Sequence, residues 1–310
     1  MRSVPLPGAH GGDGARVAEA LGLDPEGVLD LSASFNPVAP DAAEIVGKHL
    51  DRVRTYPDPG TATAALAEAI GVERERVLLT NGGAEAIALV AADVGAGWVD
   101  EPDFGLYRRH LASVTPGAPR WRSNPHNPTG RLAAEAERAA VWDEAFYGLA
   151  TGAWTRGDAD RGAVVVGSLT KVFSCPGLRL GYVLAPDEET ARRLAERQPR
   201  WSVNGLAASA VPDLLARADL AAWASAVAAL RADLVALLAA HGLQPRPSEA
   251  NYVLVGGAAG LRDRLAPRGV VVRDCSSFGL PGFARIAVPD AHGLGRLAAA
   301  LEPASSGAAP

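Results

Sequence analysis

Lys171 is the residue of this chain best placed to act on a carbonyl group. It follows the apolar run 163–166, which reads as a buried strand, within Ser168-Leu169-Thr170-Lys171. Pro176-Gly177 then interrupts regular structure before a second apolar run at 182–185. A lysine held at a strand end forms an imine when its surroundings lower its pKa. Eight positions on, Arg179 offers a planar guanidinium suited to a phosphate. The plainer alternative is a strand, a loop and two surface cations.

Other residues of chemical type stand at the ends of expected elements. The strand 77–80, the turn Asn81-Gly82-Gly83 and the helix 84–94 make an anion site, because free N–H groups and the helix dipole both favour phosphate. An ordinary strand-to-helix turn carries the same glycines. Phe104, just past the strand 98–100, can stack on a flat ring or pack into a core. Asn127 lies in Asn124-Pro125-His126-Asn127-Pro128-Thr129-Gly130, a run of turn formers whose amides can point at a ligand oxygen. Asp143 ends the apolar strand 140–143, where a carboxylate is costly without a cation; a protonated pyridine nitrogen would serve. Tyr56, in the proline-punctuated loop 54–60, is either packing or a phenol that donates to phosphate. Asn36, before Pro37, is by itself a turn residue able to present its amide outward. His10-Gly11-Gly12-Asp13 is glycine-rich but lacks the preceding strand of a phosphate loop. The histidines show neither metal spacing nor a nucleophile partner at motif distance.

These residues need a scaffold of alternating strands and helices. Further helices are expected at 15–23, 63–70, 133–139 and 186–197, with a long Ala/Leu-rich amphipathic helix at 219–240. Strands at 251–255, 270–273 and 284–288 alternate with helices at 260–266 and 291–301, which predicts a small α/β domain at the C-terminus. The chain of 310 residues, 48% hydrophobic and 21% charged, is long enough for two domains. A net charge of −5 argues against nucleic acid or an anionic membrane as the main partner. Cys175 and Cys275 are far apart without metal spacing, so neither a disulfide framework nor a zinc site is indicated, and a reducing cytoplasm fits. The N-terminal residues have no apolar core of signal-peptide length, and no apolar run approaching membrane-spanning length is expected.

In order along the chain, Tyr-Pro-Asp, Gly-Gly-Ala-Glu, Asn-Pro-x-Asn-Pro-Thr-Gly, Asp-Glu-Ala-Phe, Ser-x-Thr-Lys and Gly-Leu-Arg-x-Gly-Tyr resemble the motifs of fold type I class II aminotransferases, which use pyridoxal 5′-phosphate (PLP). Within that family, His-Gly-Gly-Asp, Ser-Ala-Ser-Phe-Asn-Pro, Trp-Ser-Val-Asn and Val-Arg-Asp-Cys-Ser-Ser-Phe look like the threonine-phosphate decarboxylase branch, relatives of histidinol-phosphate aminotransferases. The resemblance covers most of the chain. It implies an α/β fold with a mostly parallel central sheet and a smaller C-terminal α/β domain. The expected divisions are an N-terminal arm at 1–40 associated with the small domain, a PLP-binding domain at 41–215, the small domain at 216–302 and a disordered tail at 303–310.

The roles implied are these. Lys171 would join the cofactor as an imine; Asp143 would pair with the pyridinium nitrogen; Asn127 would bond the ring hydroxyl; Phe104 would stack on the ring. The N–H groups of Gly83 and Ala84, with Ser168 and Arg179, would hold the phosphate, and Tyr56 would reach it from the neighbouring subunit of a homodimer. His10, Asn36, Arg273 and Arg285 would surround a small phosphorylated amino acid, the two arginines holding its carboxylate and phosphate. Phe146 stands where many aminotransferases carry a tyrosine, and the decarboxylase branch shows phenylalanine there. An aminotransferase acting on a phosphorylated amino acid and a PLP-binding homologue without turnover are the alternatives. The stretches 108–123 and 130–143 are shorter than the family pattern, which predicts one or two sheet elements lost or reduced to loops. Ala84 replaces the polar side chain that relatives offer the phosphate, leaving backbone donation alone.

Overall fold

The computed structural model of the protein describes residues 3–8 and 10–303; most of the expected tail, residues 304–310, lies outside them. The chain divides into two units: residues 35–228 with 249–251, and the N-terminal residues to 34 with 229–248 and those from 252 onward. The divisions at 34 and 228 differ from those expected at 40 and 215, because the long helix Leu220–Ala240 runs through the second of them.

The smaller unit contributes β1 (Leu29–Leu31) from the start of the chain. The larger unit then builds a seven-stranded sheet from β2 (Val77–Asn81), β3 (Ala96–Val99), β4 (Ser113–Val114), β5 (Arg120–Ser123), β6 (Val141–Asp143), β7 (Val164–Gly167) and β8 (Leu180–Leu184). Their order is β2-β8-β7-β6-β5-β3-β4. All neighbours are parallel except that β8 runs antiparallel to both β2 and β7. Both faces are covered, which is why these strands read as continuous apolar runs. Trp142, Val165, Leu184 and Leu79 point to a core shared with residues of the helices Gly60–Ile70 and Gly205–Leu215. Val141, Val166 and Val183 point to the opposite core, shared with Trp121, Tyr107 and the helix Gly82–Val94.

The abbreviated stretches still carry strands: β4 and β5 lie within 108–123, and β6 closes 130–143. β4 has two residues, and the helix before it, Leu106–His110, is barely more than one turn. The helix expected at 133–139 is not formed: the crossover from β5 to β6 is irregular throughout. Without a helix its carbonyl groups need other donors, and arginines supply them. Nη2 of Arg156 reaches the carbonyls of Ala134, Glu135 and Glu137 at 2.8, 2.9 and 3.3 Å. Arg120 reaches that of Arg138 at 3.0 Å. The Arg156 guanidinium also lies over the Trp142 ring at 5.0 Å.

In the smaller unit, β9 (Gln244–Pro245), β10 (Tyr252–Gly256), β11 (Val270–Asp274) and β12 (Ala284–Ala287) join β1 in the order β1-β11-β12-β10-β9. Leu31, Val253, Val272 and Ile286 form its core with Leu234, Leu238 and Leu297. The helix Leu220–Ala240 buries Leu220, Trp223, Val227, Leu234 and Leu238 at helical spacing, but alanines dominate its outward side, so the expected amphipathic contrast is weak. By length and composition this helix is apolar enough to cross a membrane, a property the sequence reading did not anticipate. Core helices of soluble proteins share it.

Candidate active site

Lys171 follows β7 in a single helical turn, Leu169–Val172, that opens at the buried Ser168. Its Nζ lies over the Phe35 ring at 4.4 Å and near that of Phe146 at 5.9 Å. Asn36 is tied to this turn: its N–H donates to the Lys171 carbonyl at 3.1 Å, and its side-chain amide donates to that of Val172 at 2.9 Å. Ser174 donates back to the Asn36 carbonyl at 2.7 Å.

Asp143 ends β6, directly opposite Val166 of β7, so the ladder carries its carboxylate to the same end of the sheet as the lysine turn. Burial raises its pKa; the Ala145 N–H on Oδ1 at 3.0 Å, the Tyr107 hydroxyl on Oδ2 at 2.8 Å and the charge of Lys171 act the other way. Tyr107, fully buried, was not singled out by the sequence. Its only signal was helical spacing of three residues from Phe104, and the two rings meet edge to face at 5.8 Å.

Phe104 and Asn127 are held through Asp103. Oδ1 of Asp103 accepts from the Phe104 N–H at 2.7 Å and the Ser123 hydroxyl at 2.5 Å, and Oδ2 accepts from the Ser123 N–H at 3.1 Å. The Ser123 oxygen accepts from the Asn127 N–H at 2.7 Å. Burial pushes the Asp103 carboxyl up to about 7 against the pull of these donors. Glu144, which follows Asp143 at the end of β6, is also pushed up to about 7 by burial, and accepts from Thr155 and from the Arg156 N–H.

At the same end of the sheet, where β2 ends beside the start of β8, Gly82 and Gly83 open the helix Gly82–Val94. Gly82 has φ +79°, and a Cβ there would come within 2.5 Å of Nη2 of Arg179. Gly181 of β8 has no room for a side chain either: its Cβ would lie 2.5 Å from the Gly82 carbonyl carbon and the Gly83 nitrogen. Ser168 is adjacent, its Cβ 3.8 Å from where a Gly83 Cβ would be. Glu85 closes the turn by accepting from the Asn81 N–H at 2.7 Å. A bare helix N-terminus, a guanidinium, a serine and enforced absence of side chains together suit a phosphate.

Tyr56 is exposed and stacks on Trp201 at 4.4 Å. In the smaller unit, Arg273 of β11 and Arg285 of β12 are register partners. Both are buried, Arg273 over the Phe278 ring at 4.8 Å and Arg285 over that of Tyr252 at 4.7 Å. Burial and then Arg285 lower the Arg273 pKa to about 10; burial lowers that of Arg285. His10 is exposed in the same unit, and Gly11 packs so tightly that a Cβ would lie 2.0 Å from the Ser32 carbonyl oxygen. Close backbone packing thus accounts for Gly11, and a φ of +92° for Gly12.

The family model described as aminotransferase class I and II matches residues 121–301. The chain belongs to this family. Its cofactor is PLP, and the half-buried acid at Asp143, the lysine turn and the glycine cradle fit it. Threonine-phosphate decarboxylase of Salmonella typhimurium is 30% identical over 361 aligned positions, covering 97% of this chain and 98% of that protein. That alignment is longer than this chain, so the relative carries residues with no counterpart here. Histidinol-phosphate aminotransferase of Haloarcula marismortui is 31% identical, over 87% of this chain and 88% of its own. Among solved structures, histidinol-phosphate aminotransferase from Sinorhizobium meliloti in complex with pyridoxal-5′-phosphate superposes with a TM-score of 0.79 at 21% identity, covering 92% of each chain. L-threonine-O-3-phosphate decarboxylase from Porphyromonas gingivalis gives 0.74 at 23% identity, over 88% of this chain and 97% of its own. These likenesses establish the fold type I architecture with its mostly parallel sheet.

Proposed function

We propose that this chain is a cytoplasmic, homodimeric decarboxylase that converts L-threonine O-3-phosphate to (R)-1-aminopropan-2-yl phosphate for corrinoid assembly. The observation that carries the substrate class is the register pairing of Arg273 with Arg285. Two arginines at paired positions can hold two anions, and a phosphorylated amino acid brings a carboxylate and a phosphate. His10 and Asn36 complete the substrate residues.

PLP, when bound, supplies an electron sink for the bond broken at the substrate's Cα. Asp143 would keep the ring nitrogen protonated, Asn127 would bond the ring hydroxyl, and Phe104 would lie against the ring. Gly83, Ala84, Ser168 and Arg179 would hold the phosphate, with Tyr56 reaching it from a second subunit. The exposed side chains of Leu50, Val53, Tyr56 and Trp201 in the larger unit are consistent with such self-association. Lys171 would return a proton to Cα after carbon dioxide has left; in an aminotransferase the same amine removes one. Phe146 contributes no hydroxyl beside Lys171, which favours the decarboxylase reading along with the likeness to the Salmonella enzyme.

The second reading, an aminotransferase on histidinol phosphate or a related compound, uses the same arginines and is supported by the similarity to the Haloarcula enzyme. Incubating the PLP-loaded protein with threonine phosphate separates the two. Release of carbon dioxide with the cofactor still an aldehyde supports decarboxylation; conversion of the cofactor to pyridoxamine phosphate, reversed by a keto acid, replaces it with transamination. No visible absorbance after PLP addition, and no borohydride fixation at Lys171, points instead to a homologue without turnover.

A further inference from the structure

Phe104 and Asn127 belong to loops that follow different strands, β3 and β5, and a single buried carboxylate lies between those loops. Asp103 accepts the N–H of Phe104 at 2.7 Å and both the hydroxyl and the N–H of Ser123 at 2.5 and 3.1 Å. Ser123 has one hydroxyl proton. Since its oxygen accepts the Asn127 N–H at 2.7 Å, that proton is committed to Asp103. The chain of donors runs one way, from Asn127 through Ser123 to Asp103, and Asp103 and Ser123 are 4% and 3% exposed, so water does not substitute for either.

We propose that Asp103 is a positioning residue that, acting through Ser123, fixes Phe104 and Asn127 relative to each other and so sets the hold on the cofactor ring. This rests on the reading of those two residues as ring contacts. An acceptor with two oxygens is required: a hydroxyl at 103 has too few lone pairs for three donors, and an amide would present N–H groups to one of them. Burial of the carboxylate is the cost of the arrangement, and three hydrogen bonds offset part of it.

Asp103→Asn keeps the side-chain volume and turns one acceptor into a donor; Ser123→Ala removes the relay while leaving Asp103 bonded to Phe104. The test is PLP affinity and the pH midpoint of the bound cofactor's visible absorbance in each variant, alone and with Asn127→Ala. The expected result is about a tenfold loss of PLP affinity in either variant, with a displaced midpoint. On the Asn127→Ala background Ser123→Ala adds no more than about twofold, while Asp103→Asn keeps the part of its effect that runs through Phe104. A lowered melting temperature with unchanged affinity and midpoint would reduce Asp103 to packing, and full additivity with Asn127→Ala would also overturn the proposal. Should Asp103→Asn fail to fold, Ser123→Ala decides by the same criteria. An unmodified chain that acquires no absorbance with PLP would sink the cofactor reading and this proposal with it, and is recognised before any variant is made.

Discussion

The Tyr107 hydroxyl donates to Oδ2 of Asp143 at 2.8 Å while the Ala145 N–H fills Oδ1 at 3.0 Å, so the acid is oriented from both sides by the larger unit itself. Tyr107→Phe keeps the buried ring and deletes one hydrogen bond to a charge. The expected result is a fall in kcat of about tenfold with KM for substrate within about twofold. Steady-state kinetics check this; an unchanged kcat would leave the phenol a space-filling role.

Gly181→Ala places a methyl group against backbone that cannot move independently, at the junction of Gly82 and Gly83. A loss of about 1–3 kcal/mol in stability is expected, together with faster loss of PLP on dilution. Urea unfolding and the decay of visible absorbance measure the two. Retention of PLP at the parental rate would show that the glycine cradle does not hold the phosphate.

Arg156→Ala removes three carbonyl contacts and the stacking over Trp142, leaving the β5–β6 crossover only the donors from Arg120 and Arg138. The expected destabilisation is about 2–4 kcal/mol. Lysine should restore less than half of it, because it lacks the planar fork that reaches several oxygens at once. Chemical denaturation of the three proteins provides the comparison.

The folded state holds the Asp103 and Glu144 carboxyls near 7, well above their unfolded values near 4. Between those values the folded chain binds more protons than the unfolded one, so these groups' contribution is complete below about pH 4 and is lost as pH rises through about 7. Stability should therefore decline from pH 5 to pH 8, and Glu144→Gln should flatten that decline. Melting temperatures across the range test it; a profile rising with pH in the parent, or an unaltered slope in the variant, would contradict it.

Much of this was legible in the residues. Strand ends that carry chemistry announce themselves, because a carboxylate or lysine after an apolar run has few structural reasons to be there: Asp143 and Lys171 were found that way, and the glycines before 84–94 marked a helix start that begins at Gly82. Asp103 and Tyr107 were missed because their partners, Ser123 and Asp143, are distant in sequence and local pattern does not record them. The helix assigned to 133–139 failed for a related reason. Its alanines and glutamates favour helix locally, but its carbonyls are taken by arginines 120 and 156 from elsewhere in the fold. Strands lost or reduced to loops were expected from lost length; the stretch 108–123 holds a two-residue β4 and a four-residue β5.

The pairing of Arg273 with Arg285 has a bearing on how this enzyme can change. The smaller unit's sheet holds two arginines at paired positions of neighbouring strands, both buried. On the proposed reading, replacing either with an apolar residue would relieve like-charge repulsion and remove an anion ligand together, so a gain in stability at these positions would come with a loss of recognition, a trade-off set by the register of two strands.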